Sequence, residues 1–262
     1  MNTSRNTPAI VSSCYHAQSR AGEQFAPEHV FSLQLTGRLI LNDAEREYVC
    51  EPGSFHFTRR NHLIKFNKLP PPGGEFRTLS VYLDQETLRG FSVEYGLAPA
   101  PGAPAEGAII TLAAAPLYKS YMDSLPPYLD MDGPLLDLKV KEAILVLIRT
   151  DPWLQDILFD FSEPGKIDLE AFMQKNFHFN VELKRFAYLT GRSLATFKRD
   201  FEKIFHATPS RWLQQRRLQE AHYLIKEKGK APSDVYLDVG FEDLSHFSFT
   251  FKKRYGVAPS RI

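Results

Sequence analysis

Residues 199–211 read RDFEKIFHATPSR, and residues 249–261 repeat this pattern as FTFKKRYGVAPSR. Upstream of each copy a glycine, Gly191 or Gly240, separates two short stretches whose apolar residues follow helical spacing. Each copy therefore predicts a helix, a tight turn and a second helix. The positions with identical residues are Phe201/Phe251, Lys203/Lys253, Pro209/Pro259, Ser210/Ser260 and Arg211/Arg261.

The two halves of the chain carry opposite net charge. Residues 166–262 contain 18 Lys and Arg against 11 Asp and Glu, whereas residues 1–165 contain 14 against 20. The formal charge is therefore +7 in the second half and −6 in the first, within a chain of net charge +1. A basic half suits a polyanion, because Lys and Arg displace condensed counterions from phosphate. Tandem helix-turn-helix units in that half predict a DNA-binding protein.

The order of patterns along the 262 residues predicts two domains. After a polar N-terminal tail, short apolar or alternating segments broken by Gly, Pro and Asn predict a small antiparallel β-barrel or sandwich. A stretch rich in Pro, Ala and Gly at 97–108 predicts a flexible loop before helical spacing begins. The predicted boundaries are 1–25 for the tail, 26–160 for the first domain, 161–166 for a linker and 167–262 for the DNA-binding domain.

The helical part of the first domain is most apolar in LLDLKVKEAILVLIR, residues 135–149. This helix can pack on the β domain or form the interface of a dimer, and the sequence leaves both open. Asp151-Pro152 predicts the end of this helix and the start of another.

In the first helix-turn-helix unit, Ser193 is expected to cap a second helix that extends to about Phe205. Four apolar residues at three- and four-residue spacing predict one buried stripe on this helix: Leu194, Phe197, Phe201 and Ile204. The opposite face is the one that a DNA major groove would meet. That face carries Ala195, Thr196, Arg199, Glu202 and Lys203, with Lys198 at its edge.

The second unit has the same design with a different outward face. Its buried stripe is expected at Leu244, Phe247, Phe251 and Tyr255, and its outward face offers Ser245, His246, Ser248, Phe249, Lys252 and Lys253. Phe249 lies where the first unit has Arg199. A phenyl ring can contact a thymine methyl group but cannot donate hydrogen bonds to guanine. We therefore expect the second unit to discriminate less through direct hydrogen bonds.

Between the two units, Thr208 is expected to cap a helix that has Pro209 at its first position and runs to about Lys228. A helix of about 20 residues spans roughly 30 Å. Successive major-groove segments on one face of DNA are about 34 Å apart, so both recognition helices can enter the groove together. Five basic residues can add phosphate contacts, although a solvated surface position is the favoured role for each one alone: Arg211, Arg216, Arg217, Lys228 and Lys230.

Residues 182–261 resemble the DNA-binding domain of AraC/XylS-type transcription regulators. The likeness is carried by RRLQEAHYLI and DVGFEDLSHFSFTFKKRYGVAPSR, because the family's second unit reads GF, S, F and FKK before G-x-x-P-S. The resemblance implies promoter DNA and RNA polymerase as partners. It implies base contacts by Ala195, Thr196, Lys198 and Arg199 and by Ser245, His246, Ser248 and Phe249. The charge pattern adds Lys203, Lys252 and Lys253 as further DNA-binding residues.

The second unit departs from the family pattern at three positions. The family usually has Ala four residues before the turn glycine, as at Ala187, but the second unit has Tyr236. The tyrosine ring is expected either to change the angle between the helices or to lie at the rim. Pro232 and Phe249 also replace a usual apolar and a usual polar residue. These departures concern the base contacts of the second unit more than its fold.

The N-terminal half resembles, more loosely, the cupin-like barrel and helical dimerisation region of many such regulators, through GSFHFTRRNHLIKF and LKVKEAILVLIR. The fold class expected is therefore α+β. It comprises a cupin-like antiparallel β-barrel with a helical dimerisation layer, then an all-α domain of two helix-turn-helix units joined by a long helix. Members with this layout sense a small molecule in the barrel or answer to a protein partner. The resemblance also implies a homodimer.

Motifs of catalysis and cofactor binding are missing from the sequence, which has no GxGxxG, GxxxxGK, HExxH or GxSxG. We therefore expect neither an enzyme nor a cofactor. Cupin metal sites use an HxH cluster with a carboxylate, and His29, His56 and His62 lack that spacing, so no metal site is predicted. Residues that can orient a carboxylate or phenol effector in the barrel are His56, Lys65, Arg77 and Tyr82.

Cys14 and Cys50 are the only cysteines, and neither lies in a CxxC motif, so both are interpreted as structural thiols of a reduced protein. No apolar run reaches the roughly 18 residues that cross a bilayer, and the N-terminus lacks a secretory pattern. We therefore expect a cytoplasmic transcription activator controlled through its N-terminal domain. The alternatives are a ligand or protein sensor with a weakened DNA domain and, less favoured, a cupin enzyme fused to a DNA module.

Overall fold

The computed structural model describes residues 9–20, 24–99, 107–129 and 131–262. The chain divides into two compact units, one of Met1–Gly22 with Ala26–Ser162 and one of Glu23–Phe25 with Glu163–Ile262. Most of the loop expected at 97–108 lies outside the described residues, as do residues 1–8 of the expected tail.

The strands and helices of the N-terminal half follow one another in an order typical of an α+β domain. The strands are β1 Ile10–Tyr15, β2 Phe25–Ala26, β3 His29–Thr36, β4 Arg38–Asn42, β5 Glu47–Cys50, β6 Phe55–Thr58, β7 His62–Leu63, β8 Lys65–Leu69, β9 Phe76–Leu83 and β10 Ile109–Leu112. The helices are α1 Gln85–Tyr95, α2 Pro116–Asp123, α3 Pro134–Thr150 and α4 Leu154–Leu158.

Two antiparallel sheets of three or more strands form most of the β part of this unit. The larger has the strand order β1-β9-β3-β6-β10, and the smaller has the order β5-β4-β8. Since β1 and β10 are the two edges of the larger sheet, the described strands do not close into one barrel. The expected antiparallel β domain is confirmed, whereas the expected closed barrel is not formed.

Strand β1 corrects the expectation of a tail that extends to residue 25. Residues 10–15 pair with β9 in antiparallel register, from Ile10 opposite Val81 to Tyr15 opposite Phe76. The segment IVSSCY has only one fully buried side chain, that of Ile10. An edge strand needs little apolar surface, because its neighbour supplies the hydrogen-bond ladder. The tail prediction is therefore wrong for these six residues.

The larger sheet lies between a helical layer and the smaller sheet. On one face, Phe31 and Val81 pack with Leu88 of α1 and Ile144 and Leu147 of α3 in a shared core. On the other face, side chains from both sheets meet in a second core. Members of this second core are Leu39, Leu41, Cys50, Ile64, Phe76, Ala108 and Ile109. Helix α3 thus packs on the β domain, which is the first of the two arrangements that the sequence left open.

The C-terminal compact unit is all helical. Its helices are α5 Leu169–Asn176, α6 Leu183–Leu189, α7 Leu194–Phe205, α8 Pro209–Lys226, α9 Pro232–Asp238 and α10 Leu244–Tyr255. The pairs α6–α7 and α9–α10 are the two predicted helix-turn-helix units, and α8 is the predicted connecting helix. Helix α5 has no counterpart in the sequence-based prediction.

Side-chain caps fix the start of both recognition helices. The Ser193 hydroxyl accepts a hydrogen bond from the Thr196 amide at the start of α7. Asp243 Oδ1 accepts one from the His246 amide at the start of α10, at 2.6 Å. Thr208 precedes α8 but makes no side-chain cap, so that detail of the prediction is wrong. Pro209 at the first position of α8 presets a helical φ in its place.

The buried stripes of α7 and α10 are shorter than predicted. Phe197 and Phe201 are fully buried, with ring centroids 5.6 Å apart, and Phe247 and Phe251 repeat this arrangement at 5.5 Å. Three residues predicted to be buried are instead exposed because they lie in the first or last turn, beyond the helices that cover the centre. They are Leu194, Ile204 and Leu244.

The turn of the first unit depends on a close approach that only glycine allows. Gly191 has φ +64°, in the left-handed region. A Cβ at this position would lie 2.4 Å from the carbonyl carbon of Gly165. The segment before α5 is therefore packed directly against the turn.

Replacing Gly191 by Ala should destabilise the C-terminal compact unit more than replacing Gly229 by Ala, although both glycines have φ +64°. At Gly229 the methyl group meets open space, so only the left-handed backbone is penalised, by about 1–2 kcal/mol. At Gly191 the methyl group also overlaps the backbone of Gly165. Urea unfolding followed by Trp212 fluorescence in a Trp153→Phe background measures both losses. Equal losses would contradict the close approach.

Candidate functional site

The outward face of α7 carries the residues predicted to meet DNA. Ala195, Lys198, Arg199 and Lys203 are exposed, and the Arg199 side chain retains 66% of its accessible surface. Thr196 is half-buried, and its hydroxyl accepts a hydrogen bond from Ser193 at 3.0 Å. The structure thus brings all five predicted residues of the first unit onto one accessible surface. We call this surface the α7 face.

Asp200 separates a structural arginine from the predicted base-reading arginine. Arg192 Nε lies 3.2 Å from Asp200 Oδ2, and its Nη1 donates to the carbonyls of Ile167 and Thr190. The hydrogen bond from Arg192 lowers the pKa of Asp200. Arg199 Nη2 lies 3.4 Å from the other carboxylate oxygen of Asp200. Such an exposed ion pair is weak, so Arg199 can turn to a DNA base at small cost.

The outward face of α10 differs in chemistry from the α7 face. Ser245 and His246 are exposed, Ser248 is half-buried, and Phe249 keeps 69% of its accessible surface. A phenyl ring this exposed contributes little to the domain core. Three cations follow in the last turn: Lys252, Lys253 and Arg254. We call this surface the α10 face.

Tyr236 lies at the rim of the second helix-turn-helix unit. It is half-buried and packs at the edge of a cluster that contains Val235, Phe241 and Phe247. Its counterpart Ala187 in the first unit is buried. The ring therefore follows the second of the two arrangements expected for it.

Arg217 is a structural residue and not the phosphate contact that the sequence suggested. Its guanidinium donates to the carbonyl oxygens of Phe177, Phe179 and Gly240, each at 2.8 Å. Burial lowers its pKa to about 10, so it stays charged near neutral pH. A Cβ at Gly240 would lie 2.9 Å from the guanidinium carbon, so the turn glycine of the second unit makes room for it. No sequence pattern distinguished Arg217 from its neighbour Arg216.

The other expected phosphate contacts lie on the surface in varied surroundings. Arg216 lies 3.2 Å from Glu220 and stacks over the Phe177 ring at 4.3 Å. Lys230 lies 3.8 Å from Asp238. Arg211 and Lys228 are exposed. These four side chains remain accessible to a phosphate backbone.

The inner face of the larger sheet, which meets the smaller sheet, is unexpectedly polar. Ser32, on β3, lies opposite His56 of β6 and Ser80 of β9, and the two serine hydroxyls are 2.9 Å apart. Gln34 lies opposite Thr78, and this pair is on the same face as Ser32 and Ser80, two residues along each strand. All five side chains are buried. We call this set the inner polar row.

Two atoms of the inner polar row have no hydrogen-bond partner among the described residues: His56 Nδ1 and Gln34 Oε1. Burial lowers the pKa of His56 to about 4, so its ring is neutral near pH 7. Nearby in the fold, the buried His29 has an unpartnered Nε2, and its Nδ1 accepts from the Arg60 amide. Buried polar atoms are usually satisfied, so these are notable within the described part of the unit.

The four residues predicted to bind an effector do not share one surface. His56 and Tyr82 belong to the inner face of the larger sheet. Lys65 pairs with Asn42, one residue out of phase with the inward-facing Phe66, and so points the other way. Arg77 is exposed at a strand end and pairs with Glu75.

Lys68 was not predicted, although it belongs to the same side as the inner row. Its Nζ donates to the Tyr15 hydroxyl at 2.9 Å and lies 4.0 Å from that ring's centroid. The sequence offered no signal for it, because strand register decides which lysines of β8 face inward.

Comparison with known proteins supports both halves of this description. Residues 186–262 match the model of the helix-turn-helix domain family, and residues 29–155 match that of the ExsA N-terminal regulatory domain. The HTH-type transcriptional regulator ExsA of Pseudomonas aeruginosa is 28% identical over 240 residues, covering 87% of this chain and 83% of that protein. The chain belongs to the AraC/XylS family of transcription regulators.

A second relative and one solved structure are also similar to this chain. The virulence regulon transcriptional activator VirF of Yersinia enterocolitica is 28% identical over 137 residues, about half the length of each chain (50% and 49%). A solved structure of ToxT from Vibrio cholerae aligns over 97% of both chains with a TM-score of 0.42 and 12% identity.

The AraC-type chain is thus a DNA-binding transcription regulator with an N-terminal regulatory domain, and not an enzyme. Among the described helices, none combines the length and apolar character needed to span a membrane.

The AraC-type regulator should lose stability in its N-terminal unit as the pH falls below about 6.5. Burial holds the pKa of His29 at about 3 and that of His56 at about 4 in the folded state. The unfolded chain therefore binds more protons between these values and pH 6.5, so the free energy of unfolding decreases with acidification. Each histidine contributes up to about 1.4 kcal/mol per pH unit in that window.

Replacement of His56 by Gln should flatten this acid dependence, because the amide does not titrate. The measurement is urea unfolding at a series of pH values, followed by Trp153 fluorescence in a Trp212→Phe background. His206→Gln, at an exposed position, is the matched control. An acid dependence that is identical in the His56 and His206 variants would contradict the assignment.

Proposed function

We propose that the protein activates transcription by placing the α7 and α10 faces in successive major-groove segments of promoter DNA. The observation that carries the proposal is the repeated unit itself, with Phe197 and Phe201 buried as Phe247 and Phe251 are. Each repeat buries the same side of its second helix and leaves the opposite side accessible. The relative VirF is described as a transcriptional activator, which supports this direction of regulation.

The dimensions of α8 suit two contacts on one side of a duplex. The helix has 18 residues and, at about 1.5 Å per residue, a length of roughly 27 Å. Successive major-groove segments lie about 34 Å apart along one face of DNA. The clamp from Arg217 to carbonyls on either side of α8 supports a fixed spacing.

We propose unequal roles for the two faces. Arg199 and Lys198 can donate to guanine O6 and N7, and Ala195 and Thr196 can approach thymine methyl groups. On the α10 face, Ser245 and His246 provide polar base contacts. Ser248 and Phe249 complete the proposed base-facing set, and the cations at the end of α10 contact phosphate. The first unit then supplies most of the base discrimination.

Replacement of Arg199 by Ala should weaken binding to the natural promoter site by about 1–3 kcal/mol and relax base preference in one half-site. Replacement of Lys203 by Ala should weaken binding to every sequence similarly and reduce the salt slope by about 1. Footprinting on the protein's own upstream region first locates the site. Anisotropy titrations on matched and scrambled duplexes at several salt concentrations then measure both effects.

The two alanine variants are controls for each other, because both remove an exposed cation from the same helix. If Arg199→Ala lost equal affinity for matched and scrambled DNA, the base-reading role would be refuted. Uniformly non-specific binding by the unmodified protein would favour a sensor with a weakened DNA domain instead.

We propose that the N-terminal unit controls the DNA-binding unit by binding a small polar effector between its sheets. The unpartnered atoms of His56 and Gln34 and the inward-facing Tyr82 support an effector with a carboxylate or phenol group. Thermal-shift measurements with such compounds test this, and a shift lost in His56→Gln is the expected result. A shift produced only by cell-extract protein would favour a protein regulator. We propose a cytoplasmic location, because the proposed partners, promoter DNA and RNA polymerase, are found there.

We also propose a homodimer formed through the outer side of α3. Three leucines along this helix are exposed at three- and seven-residue spacing: Leu135, Leu138 and Leu145. Glu142 lies in the same row and pairs with Lys139 at 2.8 Å. A stripe with this spacing is typical of helices that pack against a second helix.

Replacement of Leu138 or Leu145 by Asp should shift the protein from dimer to monomer, because it buries a charge in the proposed interface. Glu142→Lys should weaken the dimer for a similar reason. Val93→Asp, on α1, is the matched control, since Val93 is an apolar residue exposed to 85%. Sedimentation velocity measures the oligomeric state. An unchanged state in both leucine variants, or equal dissociation of the Val93 variant, would contradict this interface.

A further inference from the structure

A cysteine, a histidine and a glutamate lie close together at the C-terminal end of strand β1. One ligand atom from each of Cys14, His16 and Glu75 lies within 4.8 Å of the other two. Cys14 and His16 are exposed, and Glu75 is half-buried, so the cluster is open to ions and water. Neither the DNA-binding faces nor the inner polar row includes any of these residues.

The backbone holds the three side chains in place. Cys14 lies near the end of β1, and His16 follows directly after the last residue of that strand, Tyr15. Cys14 lies opposite Arg77 of β9, and Tyr15 lies opposite Phe76, which brings Glu75 beside the end of β1. The Thr36 hydroxyl donates to the Glu75 carbonyl at 2.6 Å and fixes its backbone.

The Glu75 carboxylate is oriented by two different partners. Its Oε1 lies 3.5 Å from Arg77 Nε, and its Oε2 accepts a hydrogen bond from the Cys14 thiol at 3.0 Å. Arg77 therefore holds one oxygen while the other faces the cysteine. Ligating carboxylates in metal sites are commonly held by such an outer partner.

We propose that Cys14, His16 and Glu75 form a Zn²⁺ site, with water as the fourth ligand. Sulfur, imidazole nitrogen and carboxylate oxygen are the three ligand types that zinc binds in proteins. Zinc displaces the thiol proton to solvent, so the Cys14 sulfur binds as a thiolate and Oε2 of Glu75 turns from the thiol to the metal.

The charges around the site permit this ion despite the neighbouring Arg77. A thiolate, a carboxylate and one Zn²⁺ sum to zero, so the loaded site places no net positive charge beside the guanidinium. The three ligands also join β1, an edge strand, to the segment that starts β9. Zinc should therefore hold the N-terminal strand on the sheet.

The test uses the full-length protein with Zn²⁺ and with Co²⁺ as a spectroscopic probe. Wild type should bind zinc in competition with a chromophoric chelator, and the cobalt form should show a sulfur-to-cobalt charge-transfer band. Cys14→Ser should abolish the band and weaken zinc binding by more than about 100-fold, beyond the loss typical of an outer-shell change. His16→Ala and Glu75→Gln should also weaken binding while the band, where cobalt still binds, persists.

Cys50→Ala and His206→Ala are the matched controls, because they remove the other cysteine and an exposed histidine elsewhere. Both should bind zinc as wild type does. Zinc should raise the melting temperature of wild type and not of Cys14→Ser, and the metal-free proteins should melt alike, which shows that the variant folds. Unchanged zinc affinity in Cys14→Ser, or wild-type binding too weak to compete with the chelator, would overturn the proposal. Neither result bears on DNA binding.

Discussion

The C-terminal unit depends on one half-buried cation, Arg217. Arg217 lies in the middle of α8. Its guanidinium donates to two carbonyls of the Phe177–Phe179 segment, which precedes the first helix-turn-helix unit. It also donates to the Gly240 carbonyl, in the turn of the second helix-turn-helix unit. A buried guanidinium with unsatisfied donors is costly, so the three carbonyls must stay in place together. Gly240 is required by the same contact, because a side chain there would occupy the space of the guanidinium. The geometry of both recognition helices therefore depends on an arginine whose guanidinium donates to backbone carbonyls.

The helical unit could be predicted from the sequence because its determinants are local. Phe197 and Phe201 are four residues apart on one helix, and Ser193 and Asp243 cap the residues three positions later. Arg217 could not be predicted, because its acceptors are backbone carbonyls 40, 38 and 23 residues away. Carbonyl groups have no sequence signature, so a basic residue on a helix resembled a phosphate contact. The exposed ends of the stripes were missed for a related reason, since coverage of a helix end depends on neighbouring helices.

The N-terminal unit was predicted less completely because sheets are built from distant segments. Short strands were evident from alternation, but the sequence did not give their order, their register or the side that each residue faces. Register separates Lys65 from Lys68 and so decides which lysine shares a surface with Tyr15. The proposed zinc ligands show the same limit most clearly. Glu75 lies 61 residues from Cys14, so the cluster exists only through the pairing of β1 with β9.

The contacts of Arg217 also bear on how the proposed second reading helix, α10, would serve specific binding. Phe249 gives α10 no hydrogen bond to a base, and the cations at its end bind phosphate of any sequence. Because α8 and Arg217 join the two helix-turn-helix units, a phosphate contact by α10 would place α7 at a high effective concentration over the adjacent groove. On the proposed function, affinity would come from both helix-turn-helix units, whereas discrimination would come mainly from Arg199 and its neighbours. A flexible connection would lose this advantage, because each binding event would then cost the entropy of ordering the connecting segment.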